Sequence, residues 1–176
     1  PPSAAHFMGT DTYGRDMFSR VLIGAQTSIS STFALVAIIT VFGTFVGVVC
    51  GYYGGRVDAL VMRLSDLCLA FPGLVFAMAV AAILNGGVQN AVIALALISW
   101  PKYSRIARSQ TLFMKSLPYM QAAQQAGDSA LQMIIRHVIN NIVGTILVTS
   151  MLDIGTKMMG IAGLSVLGLG GLPPVV

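Results

Sequence analysis

The chain contains no glutamate, its six acidic residues are all aspartate, and charged residues make up only 9% of the sequence. A soluble domain carries about 25% charged residues. This chain therefore has too little charge to cover a water-facing surface. No charged residue occurs between Val21 and Gly55, and hydrophobic residues make up 56% of the whole at a mean hydropathy of +0.82. Such a composition takes the bilayer as its solvent. Cysteine is scarce too. Cys50 and Cys68 lie in or beside apolar runs without metal-ligand spacing, and they read as small buried hydrophobes. His6 and His137 are far apart and read as solvated side chains, so no metal site is expected. No glycine-rich loop is followed by Lys and Ser/Thr, as phosphate cradling requires. No Ser-His-Asp set or carboxylate pair stands out. The chain is thus expected to be neither an ATPase nor another enzyme, and to hold no cofactor. Its net charge of +4 does not point to nucleic acid, because the positive residues fall between apolar runs, as the positive-inside rule expects.

The apolar runs predict an all-α, polytopic transmembrane bundle with four spans, each needing about 20 apolar residues. The first covers Ile29 to Cys50, entering from the outer side. Gly43 and Gly47 in it have the spacing that lets helices approach closely, although chance in a glycine-rich chain explains the pair about as well. Tyr52, Tyr53 and Arg56 suit the interface at its cytoplasmic end. The second covers Leu60 to Leu84, with Arg63 and Asp66 snorkelling or pairing in its first turns and a kink at Phe71-Pro72-Gly73. The third covers Asn90 to Ala107 and is broken or bent at Pro101. Lys102, Arg105, Arg108, Lys115 and Arg136 mark the segment that follows as cytoplasmic. The fourth runs from Asn141 and Ile142 to about Leu164. It carries Asp153 and Lys157 on one helix face, with Met158 and Met159 next to them. Asp153, Lys157 and Met158 are candidates to line a translocation pathway, since ionisable groups at this depth usually face a bundle interior or a water path. A self-neutralising Asp153–Lys157 pair, with the methionines as packing, is the slightly favoured reading.

Tyr119 to Asn140 is the polar interlude in this pattern. Pro118 suits the first turn of a helix, Gly127 suits its end, and Asp128 or Ser129 can cap a second helix from Ala130 towards Asn140. A small-faced, exposed helix followed by a sharp turn is a plausible peg for a groove on a partner. An ordinary solvated loop carries about equal weight.

Three segments carry a family resemblance. Ala122, Ala123 and Gly127, with Ile139 at a later aliphatic position, resemble the cytoplasmic coupling loop of permease subunits in bacterial ABC importers. That motif reads Glu-Ala-Ala, three residues, Gly, nine residues, then Ile/Leu-x-Leu-Pro. Gln121 stands in place of the glutamate and Asn140 in place of the proline. Gly9, Thr10, Asp11, Gly14, Arg15, Asp16, Ser19 and Arg20 match the Gly-Thr-Asp-x-x-Gly-Arg-Asp-x-x-Ser-Arg signature of the dipeptide, oligopeptide and nickel permease subfamily, with Met8 replacing a leucine before it. Gly163-Leu164-Ser165-Val166-Leu167-Gly168-Leu169-Gly170 resembles the subfamily's Leu-Ser-Phe-Leu-Gly-Leu-Gly segment, with Val166 in place of the phenylalanine. Asp153-Ile154-Gly155 and the paired methionines resemble nickel-type members more than peptide-type ones.

The resemblance implies a binding-protein-dependent permease of the bacterial inner membrane, here without its first and last helices. It divides the chain into an outer-side polar segment, residues 1–20, and a transmembrane domain, residues 21–176, with a coupling loop at residues 108–141. It implies a second permease subunit, two ATPase subunits that bind the ATP, and an extracytoplasmic substrate-binding protein as partners. Gln121, Ala122, Ala123, Gly127 and Ile139 would be the ATPase-coupling residues, and the helix after them would transmit motion to the bundle. The cargo would be nickel, a metal chelate or a peptide. A membrane scaffold or channel needing no ATPase is the alternative from another class. The head segment itself, with Asp11 and Asp16 balancing Arg15 and Arg20, reads as a short interfacial helix capped by Thr10 or Asp11.

Overall fold

The computed structural model describes residues 6–168. It is all-helical, as the composition predicts: α1 (Met17–Tyr53), α2 (Gly55–Ala70), α3 (Gly73–Ile83), α4 (Val88–Lys115), α5 (Pro118–Gln125), α6 (Ala130–Gln132), a π-helical segment (Met133–Ile139) and α7 (Asn140–Val166). Among the described residues there is no β-strand, only an isolated bridge between Thr10 and Asp16. The last part of the glycine-rich closing segment, from Leu169 onward, lies outside the described residues.

The head segment folds differently from the expectation. Asp16, not Thr10 or Asp11, caps the first helix, accepting bonds from the Ser19 backbone N–H (3.0 Å) and hydroxyl (2.7 Å). That cap starts α1 at Met17, so the expected span Ile29 to Cys50 lies within a longer helix that ends before Gly54, where φ is +64°. Asp11 forms a turn instead. It accepts the N–H groups of Tyr13 (2.8 Å) and Arg15 (3.0 Å) and pairs with the Arg20 guanidinium at 2.7 Å. The Arg15 amide, chiefly, holds the Asp11 carboxyl below the ordinary range, and the Ser19 hydroxyl does the same for Asp16. His6 is not simply solvated, for its Nδ1 lies 3.2 Å from Asp16.

The main packing event is the crossing of α1 with α4. Gly43, Gly47 and Gly51 lie one helical turn apart on one face of α1 and are buried. A methyl group added at Gly43 would meet the Trp100 carbonyl and Tyr103 Cβ at 2.7 Å. At Gly47 it would meet the Ser104 carbonyl at 2.2 Å, and at Gly51 Thr111 Cβ at 2.8 Å. The contacts advance together along both helices, so α1 and α4 run parallel. This fits first and third spans that cross in the same direction. Gly43 and Gly47 are therefore packing residues, and Gly51 extends the stripe.

Between these helices the chain reverses through α2 and α3. The expected kink at Phe71-Pro72-Gly73 is a full break with a bend of 93°. The residue before a proline avoids helical geometry, and Phe71 is extended at φ −93° and ψ 144°. Asn85 at φ +65° and Gly86 and Gly87 at φ +70° and +97° then turn the chain into α4. Asn90 ties this turn through its side-chain N–H₂ to the Leu84 (2.6 Å) and Gly86 (2.7 Å) carbonyls.

α4 continues through Pro101, which is fully buried inside the helix and does not end it. By length and hydropathy, α1 and the continuous rod Ala130–Val166 qualify as spans, and the bent pair α2–α3 is a third if taken as one. The expected third span, Asn90 to Ala107, lies within α4 but does not qualify on its own, since Gln89, Asn90 and the basic residues from Lys102 onward dilute its hydropathy. α4 is nonetheless the central helix, packing on α1, α2, α3 and α7. Cys50 is buried as expected, whereas Cys68 is half-buried.

The glycine seam gives a prediction of opposite signs. Glycine to alanine in a helix interior ordinarily gains up to about 1 kcal/mol. Gly24→Ala, with open space around its added methyl, should hold or raise the thermal midpoint in detergent. Gly47→Ala should lower it, because backbone must move. A raised midpoint for Gly47→Ala would show that the seam is not tightly packed.

Candidate functional site

Two sites follow from this framework. The first is the segment between α4 and α7. Pro118 opens α5, and Gly127 ends it at φ +97°. Ser129, not Asp128, then caps the next helix. Its hydroxyl accepts the Gln132 N–H at 3.4 Å while Gln132 Oε1 accepts the Ser129 N–H at 2.8 Å, a reciprocal capping box. Asp128 is left to meet His137 Nε2 at 3.1 Å, so His137 is not a free solvated side chain either. The Tyr119 ring lies 6.2 Å from the imidazole. Gln121, Ala122 and Gly127 are exposed and Ala123 is half-buried. Met120, on the opposite face of α5, is buried in the core. α5 is therefore anchored by one side, on which Ala123 also packs, and presents an uncharged face of Gln121, Ala122, Gln124 and Gln125 outward.

Beyond the cap the helix runs into α7 as one 37-residue rod. Its first turns are π-helical from Met133 to Ile139. Val138 and Met133 point into the core, and Ile139 is 40% exposed. Asn140 and Asn141 bond back to the Arg136 (3.0 Å) and His137 (2.6 Å) carbonyls. The π segment was not legible in advance, because nothing in Met-Ile-Ile-Arg-His-Val-Ile distinguishes it from an ordinary helical turn.

The second site lies between α4 and α7 within the bundle. The expected Asp153–Lys157 pair does not form. Asp153, 4% exposed, accepts the Lys102 ammonium at 2.7 Å on one oxygen and the Tyr103 hydroxyl at 3.1 Å on the other. Lys157 instead donates to Ser99 Oγ at 2.9 Å. Asp153 is turned towards α4, where two donors one residue apart match its two oxygens better than one flexible lysine on its own helix. Sequence reasoning missed Ser99 and Tyr103 and assigned Lys102 only to the basic cluster, since their pairing with α7 depends on the antiparallel register of α4 and α7. Met158 and Met159 are 38% and 76% exposed, so neither is core packing.

The remaining basic residues of α4 are also engaged. Arg105 pairs with Asp66, and Arg108 pairs with Asp58 through two bonds of 2.5 and 2.6 Å. Lys115 donates to the Tyr52 carbonyl at 2.6 Å and lies over the Tyr52 ring. The expected basic cluster is thus a set of clamps tying α4 to α1, α2 and α7. It sits at the end of α4 that leads into α5.

Helices of spanning length, an ion network between helices and an exposed helix–turn–helix at one end define the class: a multi-pass helical membrane protein. Comparison with known proteins carries this further. Residues 43–175 match the model of the binding-protein-dependent transport system inner membrane component family, and the chain belongs to that family. It is 43% identical over 174 residues to the probable D,D-dipeptide transport system permease protein DdpC of Escherichia coli (strain K12), covering 99% of this chain and 58% of that protein. It is 39% identical over 174 residues to the glutathione transport system permease protein GsiD of Pectobacterium atrosepticum, with the same coverage. Against GsiD of Escherichia coli O6:K15:H31 it is 42% identical over 173 residues, covering 98% of this chain and 57% of the relative. The chain thus spans a little under three fifths of these relatives. It is a multi-pass component of the bacterial inner membrane, of the ABC-importer permease class.

The ion network makes a prediction that separates the two pairings of Asp153. In a double-mutant cycle on thermal stability in detergent, Lys102→Met and Asp153→Asn should couple by about 1 kcal/mol or more, whereas Lys157→Met and Asp153→Asn should couple more weakly than that. A larger coupling for Lys157 would restore the intrahelical pair.

Proposed function

We propose that the chain forms part of the translocation pathway of an ABC importer for dipeptides or short oligopeptides. A partner ATPase binds the ATP and drives it through α5. The observation that carries this reading is the exposed α5 peg, held by Met120 from beneath and continuous through Gly127, the Ser129 cap and the π segment with a rod of spanning length. Closure of two ATPase subunits would push on Gln121, Ala122, Ala123 and Gly127. The rod would carry the displacement past Ile139 to Asp153 and Lys157. A second permease subunit would complete the pathway, and an extracytoplasmic binding protein would deliver the cargo to the head-segment side. ATP binding moves the bundle only if the docked states differ in free energy, so the peg must hold its shape under load.

Peptide is favoured over nickel as cargo, supported by the dipeptide and glutathione names of the similar permeases. The nickel resemblance rested on Asp153-Ile154-Gly155 and the paired methionines Met158 and Met159. Gln121 in place of a glutamate leaves the peg without a charge-assisted bond to a basic groove, so the contact rests on shape.

The peg gives a direct test in cells carrying the full-length gene and its operon. Gly127 has a left-handed backbone with open space around it, so Gly127→Arg strains the turn and crowds the docking face without touching the core. Membrane insertion should survive, and dipeptide uptake should fall to background. Normal dipeptide uptake by that variant would remove α5 from the coupling path. Nickel uptake dependent on this subunit, with no dipeptide uptake, would overturn the choice of cargo.

A further inference from the structure

The chain's supply of negative charge is fully spent. All six aspartates are paired with a basic side chain: Asp11 with Arg20, Asp16 with His6, Asp58 with Arg108, Asp66 with Arg105, Asp128 with His137 and Asp153 with Lys102. With no glutamate in the sequence, no carboxylate side chain remains uncommitted. On the basic side Arg15, Arg56, Arg63, Lys115, Arg136 and Lys157 lie in none of these pairs, and of them Lys157 is the one bonded across the seam between two helices to a buried hydroxyl. It sits half-buried at the seam of α4 and α7, in mid-rod, where an unpaired ammonium is costly. Its hydrogen-bond partner is a neutral hydroxyl, Ser99 Oγ, and Ser99 is itself 6% exposed. Asp153 is one turn away, but both of its oxygens are already occupied by Lys102 and Tyr103. Lys102, Asp153 and Lys157 together therefore carry a net single positive charge along the α4–α7 seam, with Lys102 at its exposed edge.

We infer that Lys157 and Ser99 form a binding point for a carboxylate that the cargo brings, the C-terminal carboxylate of a peptide in transit. This rests on the peptide-importer reading above and assigns a residue pair to it. An ammonium with two free N–H donors beside a hydroxyl donor suits a carboxylate, and charge-assisted bonds of this kind are about twice as strong as neutral ones. The Lys102–Asp153–Tyr103 clamp has a different role. It withholds the one interior carboxylate from Lys157 and so keeps the ammonium available. Gly160, one turn beyond, lets Leu95 approach to 3.6 Å of where a side chain would begin, closing the seam above Lys157 with apolar surface.

The test uses the complete importer in proteoliposomes, with its own binding protein, and compares uptake of alanyl-alanine with uptake of its C-terminal amide. The binding protein is the same in every arm, so its own preference cancels between wild type and variant. Lys157→Met should slow uptake of the free acid about tenfold, the scale of one lost charged hydrogen bond, and leave the amide nearly unchanged. Lys157→Arg should keep most of the free-acid rate. Equal loss of acid and amide would overturn the inference and assign Lys157 to structure or to a carboxylate of the partner subunit. Unchanged acid uptake in Lys157→Met would overturn it too. Absence of dipeptide uptake by the wild-type importer would instead overturn the cargo reading on which it rests.

Discussion

The structure depends on how closely α1 can approach α4. Lipid offers helices no hydrophobic reason to associate, so packing and polar contacts must hold them together. Three glycines at one-turn spacing, Gly43, Gly47 and Gly51, place the α1 backbone against the carbonyls of Trp100, Ser104 and Arg108. Everything else is fixed relative to that parallel pair. The reversal through α2 and α3 must return the chain to the starting side, which the 93° break at Phe71-Pro72 and the Asn85–Gly87 turn accomplish. α7 then lies antiparallel on α4, in the register that sets Ser99 opposite Lys157 and Lys102 opposite Asp153.

A second constraint is the economy of charge. A membrane chain tolerates few ionisable groups, and those it keeps must be paired or used. Here α4 gathers the pairs. Its basic residues hold Asp58, Asp66 and Asp153 on α2 and α7. These clamps lie along the half of α4 that leads to α5, so the peg projects from the most firmly tied part of the bundle. The rod from Ala130 to Val166 joins the same core farther along. Its π-helical opening, next to the Asp128–His137 contact, is the place where the hydrogen-bond ladder departs from α geometry.

Local signals in the sequence carried much of this. The glycine spacing, Pro118, Gly127 and the Ser129 cap are each governed by backbone geometry within a few residues, and each is found in the structure. The head signature and the loop motif located the family. Readings that required knowledge of a neighbouring helix failed. Asp153 and Lys157 share a face, yet Lys102 and Tyr103 on α4 win the carboxylate. The basic cluster, read from the sequence as the mark of the cytoplasmic side, also forms interhelical clamps, whose partners lie on other helices. Asp11 looked like a helix cap, but its two oxygens are occupied by the turn amides of Tyr13 and Arg15 and by Arg20, leaving the cap to Asp16. Hydropathy alone ranks α4, the most central helix, below a span, because Gln89, Asn90 and the basic residues from Lys102 onward lower its mean.

The account holds that the α1–α4 pair is a fixed frame and that α5 moves against it. Distances between spin labels in the assembled importer test this directly, in a background without reactive cysteine. One pair would be placed on exposed Val41 of α1 and Leu97 of α4, the other on Val41 and exposed Gln124 of α5. On addition of a non-hydrolysable ATP analogue, the Val41–Leu97 distance should stay constant while the Val41–Gln124 distribution shifts. A Val41–Leu97 distance that changes as much as the other would contradict the account, since the glycine seam would then be a moving joint instead of the frame.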